Sequence, residues 1–306
     1  MPEATKPRVA VIGLGSMGFG MATSLKRAGF EVTGCDVSAD TMARFVAEGG
    51  KSAPTPAEAA TGADIVVSVV VNAAQTETIL FGQAGVADTL PKDAVFISSA
   101  TMDPDVARRL AKQLEATGRH YLDAPISGGA QRAAQGELTI LASGSCAAFA
   151  KARPALDAMA AKLYELGDAA GLGAAFKMVN QLLAGVHIAA ASEAITFAAR
   201  QGLDIRKVYE VITASAGNSW MFENRMPHVL DGDYTPKSAV EIFVKDLGII
   251  QDMARSAKFP VPVAAAALQM FLMTAAAGMG RDDDASVARL YGRITGTALP
   301  GEPKQQ

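Results

Sequence analysis

Cysteine, histidine and tryptophan are scarce in this sequence, with two, three and one among 306 residues. Cys35 and Cys146 are too few and too far apart for a disulfide framework, so a reducing, cytoplasmic setting is expected. His120, His187 and His228 have no zinc-like spacing to one another or to the cysteines, and no metal is expected. A surplus of one charge is missing as well: 28 basic and 31 acidic residues leave a formal net charge of -3. That balance does not draw the chain towards nucleic acid or an anionic membrane, and neither is expected as a partner. The first apolar run, after Arg8, is broken by Gly13 and Gly15 and is too short for a secretory signal. Val261 to Gly280 is uncharged and long enough to span a bilayer. It is alanine-rich, contains Gln269 and Thr274 and follows Pro260 and Pro262, which suits a buried helix or a subunit interface better.

What is present is a globular composition, 50% apolar and 19% charged, in a chain long enough for two domains. From Arg8 to about Leu166 short β-rich runs alternate with helical stretches. Arg8–Ile12, Glu31–Cys35, Asp64–Val71, Ala94–Ser98 and Arg119–Leu122 read as strands, with Leu138–Ala142 and Lys162–Leu166 as weaker ones. Met17–Ala28, Ala39–Ala47 and Asp103–Thr117 read as helices between them. Nearly unbroken apolar strands alternating with helices imply a mainly parallel sheet covered on both faces. After Gly173 the β signal ends. Residues 174–201 read as one long helix, followed by helical stretches at 206–214, 238–257, 261–277 and 284–295. Asp282-Asp283-Asp284 reads as a helix N-cap, and the tail from Pro300 as frayed. The expected architecture is an α/β domain over 1–170 and an all-α substrate and oligomerisation domain over 171–306, joined by the long helix.

Gly13-Leu14-Gly15-Ser16-Met17-Gly18 follows the first strand and opens the first helix. In that context the spacing is the fingerprint of a doubly wound, Rossmann dinucleotide-binding sheet. Gly13 permits the tight turn, Gly15 the approach of backbone to pyrophosphate, and Gly18 close packing of helix on strand. Asp36, at the end of the second strand, either accepts hydrogen bonds from a ribose or caps the next helix. An acid there opposes a 2′-phosphate, and the first basic residue after it is Arg44, so the expected cofactor is NAD. Val71 and Asn72, and the segment ending at Thr101, are expected at the strand ends that line the crevice.

With these residues in view, the chain resembles the 3-hydroxyisobutyrate dehydrogenase-like family of β-hydroxyacid dehydrogenases. Val11 to Gly18 is similar to the family's opening signature and Asp123-Ala124-Pro125-Ile126-Ser127-Gly128-Gly129 to its substrate-binding segment. Gly171-Leu172-Gly173 with Lys177 and Asn180 resembles its catalytic helix, and Val244-Lys245-Asp246-Leu247 its late cofactor-side motif. Three further segments, Asn180–Ile188, Asn218–Arg225 and Asp231–Pro236, narrow the resemblance to one branch of the family. Many members carry two successive asparagines after the lysine, where this chain has Asn180 and Gln181.

The resemblance implies NAD-dependent oxidation of a small hydroxylated carboxylic acid, with Lys177 as the base. It further implies that Ser127, Gly128 and Gly129, which by themselves could be a simple Gly-rich turn, hold the substrate carboxylate, that Asn180 and Gln181 hydrogen-bond the substrate, and that Lys245 approaches the nicotinamide side. A lysine with an ordinary pKa of roughly 10.4 needs burial to act near neutrality, and the apolar run around Lys177 makes that reasonable. By residue chemistry alone the same lysine could snorkel to solvent, and Lys245 could form a surface pair with Asp246. His187 and Trp220 are expected to be packing residues, with contact to substrate as the alternative for either. Site residues from both domains imply a cleft at their boundary, and the Ala- and Gly-rich helical stretches at 182–199 and 261–280 suit close packing between subunits, so a homodimer or homotetramer is expected. A non-catalytic NAD-binding module is the alternative of a different class.

Overall fold

The structure is a computed structural model that describes residues 6–302. The chain forms two compact units, one ending at Met178 and the other beginning at Val179. In the first unit β1 (Val9–Ile12), α1 (Gly18–Arg27), β2 (Val32–Cys35), α2 (Ala39–Ala47), β3 (Lys51–Ser52) and α3 (Pro56–Ala60) come first. They are followed by β4 (Ile65–Ser68), α4 (Ala73–Phe81), β5 (Val95–Ser98), α5 (Pro104–Glu115) and β6 (His120–Asp123). The six strands form a parallel sheet in the order β3-β2-β1-β4-β5-β6. The chain winds outward from β1, then returns to place β4 beside it, so the order reverses between β1 and β4. Ligands of such sheets bind at the strand carboxyl ends beside that reversal.

Side-chain alternation along the strands builds two cores. Val9 and Val11 of β1, with Ile65, Val67, Val95 and Ile97, pack on one side against Met21 and Leu25 of α1. Ala10 and Ile12, with Val66 and Phe96, pack on the other against Ile79, Leu80, Leu110 and Leu114. Both faces are therefore covered, which is why these strands read as continuous apolar runs.

Beyond β6 come β7 (Ile126–Ser127), α6 (Gly129–Gln135), β8 (Leu138–Ala142), α7 (Cys146–Met159) and β9 (Ala160–Glu165). Here β7 pairs antiparallel and β9 parallel with β8 in a small second sheet. The two-residue strands β3 and β7 are too short to leave a periodic signal, and the sequence reading passes over both.

Helix α8 (Leu172–Arg200) carries the chain from the first unit into the second. The second unit continues with α9 (Ile205–Thr213), α10 (Trp220–Asp231), α11 (Val240–Ser256), α12 (Pro262–Thr274) and α13 (Val287–Thr295). Its core includes Ile195 of α8 with Phe222, Met226 and Val229 of α10. Helix α10 was not legible in the sequence because Pro227 lies inside it, where proline removes a backbone donor. Trp220 starts that helix and is half exposed, contrary to the packing role expected of it.

The apolar stretch after Pro260 is less regular than expected. Helix α12 gives way to a π turn over Ala275–Met279, where Gly278 has φ +87°. Ala264, Ala267, Phe271 and Thr274 face inward, with Phe271 stacked 5.1 Å from Phe243 of α11. By length and composition alone, α8 and Pro262–Met279 are each sufficient to cross a membrane.

The acidic run divides its work. Asp283 caps the short 3-10 turn at Asp284–Ser286 by accepting from the Ala285 N–H, and it also accepts from His228 at 2.8 Å. Asp284 instead forms a buried two-bond pair with Arg225. The tail is not frayed as far as it is described, because Glu302 pairs with Arg289 and Arg293. Residues 303–306, and the start of the chain through Thr5, lie outside the described residues.

Candidate active site

The Gly-rich turn stands where β1 leaves the sheet, beside the reversal. Gly13 has φ +90°, and a Cβ there would lie 2.3 Å from the Val69 carbonyl oxygen. A Cβ on Gly18 would lie 1.9 Å from the Gly13 carbonyl oxygen. A Cβ on Gly15 would meet nothing within 4 Å. Two of the three glycines are thus required by the fold, while Gly15 keeps its backbone open on the outer side. That is what a group laid against the loop needs, and the residues fit a dinucleotide. Leu14, Gly15 and Ser16 line a cavity of about 620 Å³ that Arg44 also lines. Arg44, set aside in the sequence reading by its distance from Asp36, comes close to the loop, its guanidinium 4.8 Å above the Phe19 ring.

Asp36 braces this turn. Its Oδ2 accepts from the Leu14 N–H at 2.5 Å and its Oδ1 from the Ser38 N–H at 2.8 Å. The cap of α2 is Ser38, which accepts from the Thr41 N–H. The helix-capping alternative for Asp36 is therefore filled by its neighbour. Val71 and Asn72 lie beyond the end of β4, which stops at Ser68; Val69 still bonds to β1, and the chain then turns. Asn72 caps α4 by accepting from the Gln75 N–H, and Gln75 in turn accepts from the Val71 N–H. Thr101 lies just past β5, before α5.

Ser127 ends β7, and Gly128 and Gly129 follow with φ +138° and +80° as the chain enters α6. Their position is locked to the Gly-rich turn through helix α1. A Cβ on Gly20 would lie 2.6 Å from the Ala134 nitrogen, so α1 and α6 touch backbone to backbone. Ser24 donates to the Ala133 carbonyl at 2.9 Å and Arg27 to that of Ala134 at 2.9 Å. Sequence reasoning missed Gly20. The available signal was an isolated glycine inside a helix, which costs about 1 kcal/mol relative to alanine and asks for a packing reason.

Lys177 lies in the second turn of α8 and is 7% exposed, so it does not snorkel. Of the apolar neighbours expected to bury it, Ala174 and Met178 are themselves buried, at 1% and 3% exposed, whereas Phe176 and Val179 are 53% and 63% exposed. Adjacent positions on a helix face different ways, and the burial of one says little about the next.

One turn further, Asn180 is exposed and Gln181 buried. Gln181 accepts from the Asn180 amide at 3.0 Å and donates to Asp246 Oδ2 at 2.5 Å. Asp246, on α11 and 1% exposed, also pairs through Oδ1 with Lys245. The Lys245–Asp246 pair thus exists, but its acid is buried and tied to α8. A shorter asparagine at position 181 would lack one methylene of this reach.

Residues 8–167 match the NAD binding domain of 6-phosphogluconate dehydrogenase. Residues 171–291 match the family described as NAD-binding of NADP-dependent 3-hydroxyisobutyrate dehydrogenase. The chain is similar to L-threonate dehydrogenase of Cupriavidus necator, 52% identical over 96% of this chain and 98% of the other. It is 47% identical to L-threonate dehydrogenase of Escherichia coli K12, over 98% and 99%. The crystal structure of 3-hydroxyisobutyrate dehydrogenase from Salmonella typhimurium matches with a TM-score of 0.89 and 48% identity, covering 93% of this chain and all of that one. With both halves of the chain matched by these family models and nearly its whole length by these relatives, the chain belongs to the 3-hydroxyisobutyrate dehydrogenase-type family of NAD-binding β-hydroxyacid dehydrogenases.

Proposed function

We propose that this enzyme oxidises L-threonate at C2 to 2-oxo-tetronate with NAD. The similarity to L-threonate dehydrogenases along almost the whole chain carries the choice of substrate. In this reading residues 1–170 hold the cofactor and 171–306 serve substrate and assembly. The Gly13–Gly18 turn offers its N–H groups, at the start of α1, to the pyrophosphate, and Asp36 accepts from the adenosine ribose. Val71, Asn72 and Thr101 line the crevice, and Lys245 serves the nicotinamide side. Bound NAD supplies the hydride acceptor. Ser127, Gly128 and Gly129 hold the substrate carboxylate through backbone N–H groups. Asn180 hydrogen-bonds a substrate hydroxyl, and Lys177 Nζ takes the proton of the C2 hydroxyl.

Of the two amides, Asn180 meets substrate and Gln181 holds it in place, because Asn180 is exposed whereas Gln181 is buried between Asn180 and Asp246 and bonded to both. Replacing Gln181 with alanine is therefore expected to raise KM for the acid about 3- to 10-fold, the worth of a hydrogen bond to a neutral hydroxyl. Initial rates at varied acid and saturating NAD check this. An unchanged KM would return Gln181 to a purely packing role.

Assembly with further copies of the chain, as a dimer or tetramer, is supported by the outward apolar side chains Leu183 and Phe197 of α8 and Val263 and Met273 of α12. A cytoplasmic location is supported by the two free cysteines.

The test is NADH formation across L-threonate, D-threonate, D-erythronate, glycerate and 3-hydroxyisobutyrate, with NAD and NADP in parallel because Arg44 lines the cofactor-side cavity. L-threonate with NAD is expected to give the highest kcat/KM. A higher value with another acid would discard the substrate, and no turnover with NAD bound would leave a binding module.

A further inference from the structure

Among the described residues, seven α-helices begin at a side chain that caps them locally: Ser38, Thr55, Asn72, Asp103, Ser145, Asp204 and Ser219 each accept from an N–H two or three residues ahead. Helix α8, which carries Lys177, starts differently. Asp123, the last residue of β6 and 1% exposed, accepts through a single oxygen, Oδ2, from the Gly171 N–H at 2.9 Å and the Ala174 N–H at 2.8 Å. Ser143 donates to the same oxygen at 3.3 Å and accepts from the Gly173 N–H at 2.9 Å. Three free donors of the first turn thus end on partners 30 to 51 residues away. The glycines permit the approach. Gly171 has φ +101°, and a Cβ on Gly173 would lie 2.4 Å from the Leu141 carbonyl oxygen.

A local cap satisfies donors and leaves the helix end wherever its loop puts it. A cap from the strand end fixes the first turn to the sheet instead. Lys177 follows Ala174 by three positions, about one turn along the same face. We propose that Asp123, with Ser143, is the positioning residue for Lys177, setting the turn from which the amine reaches the reacting hydroxyl. The inference rests on the reading of Lys177 as the base.

The choice of a carboxylate is costly for the fold. Burial pushes the Asp123 carboxyl up to about 6, against the pull of its hydrogen bonds and of the Arg108 charge on α5. Tyr121, on the same strand, is buried with its phenol pushed above the ordinary range by that burial and by Asp123. Between the usual carboxylate range near 4 and about 6, the folded chain keeps a proton that the unfolded chain has released. The stability contributed by this group is therefore greatest below that window and is lost as pH rises through it. Charge-assisted anchoring of α8 runs the other way and is strongest above about 6. A residue kept only for stability would favour a neutral acceptor.

The experiment compares wild type, Asp123→Asn, Ser143→Ala and Lys177→Met for kcat, NAD dissociation constant and Tm at pH 8. Asp123→Asn is expected to lower kcat about 10- to 100-fold, the cost of a displacement near 1 Å, with the NAD constant unchanged. Its Tm is expected within about 3 °C of wild type. Ser143→Ala, which removes one link of the anchor, is expected to lower kcat about 3- to 10-fold, and it decides the matter should Asp123→Asn fail to fold. The Tm of wild type relative to Asp123→Asn is expected to rise as pH falls from 7 to below about 5. Wild-type kcat in a folded Asp123→Asn, or in Ser143→Ala where that variant has to decide, with Lys177→Met inactive, overturns the Asp123 inference alone. An active Lys177→Met overturns the reading beneath it as well.

Discussion

Lys177→Met is expected to lower kcat by about 10²- to 10⁴-fold, the range for loss of a general base, while the NAD dissociation constant moves less than about threefold. Methionine keeps an unbranched aliphatic stem in a site where the residue is 7% exposed, so the loss reports on the amine and not on a cavity. The groups proposed to hold the cofactor, Gly13–Gly18 and Asp36 among them, lie elsewhere in sequence, and the substitution does not touch them. The checks are steady-state turnover of L-threonate and titration of NAD by fluorescence quenching. Turnover within about tenfold of wild type would remove Lys177 from the proton transfer.

The second large effect separates folding from binding within one turn of chain. Gly18→Ala places a Cβ 1.9 Å from the Gly13 carbonyl oxygen, which forces α1 away from β1. Overpacking of this kind costs about 1–3 kcal/mol, and Tm is expected to fall by about 3–10 °C. Gly15→Ala meets no atom within 4 Å, and its backbone is not left-handed, so the apoprotein is expected to melt as wild type does. Its NAD dissociation constant is nevertheless expected to rise about 10- to 100-fold, because the methyl group holds the pyrophosphate off charge-assisted bonds from the loop. Thermal melts without cofactor and NAD titrations of both variants distinguish the two. A normal NAD constant in Gly15→Ala would mean that the dinucleotide does not lie against this loop.

These glycines also show how legible the site was. Their spacing, directly after an apolar strand and before a helix, is a local pattern, and local patterns survive in sequence. Local signals likewise bounded α2 and β8 correctly, since Ser38 and the strand alternation lie next to the elements they define. The two-residue strands β3 and β7 were silent for want of length. Helix α10 was hidden by Pro227, whose cost is offset by Phe222, Met226 and Val229 packing into the core.

The sequence by itself determined the doubly wound sheet, the dinucleotide turn, the long helix and the presence of Lys177 on it. Only the tertiary structure decided how those parts are held. Gly20 brings α1 against α6 more than a hundred residues on. Asp123 anchors the start of α8 from 48 residues away, and Gln181 engages Asp246 across 65. Hydrophobic period and turn chemistry act over a few residues, so they write themselves into the chain. A buried carboxylate or amide finds its partner only once folding has brought distant segments within about 3 Å, and neither residue's identity names that partner in advance.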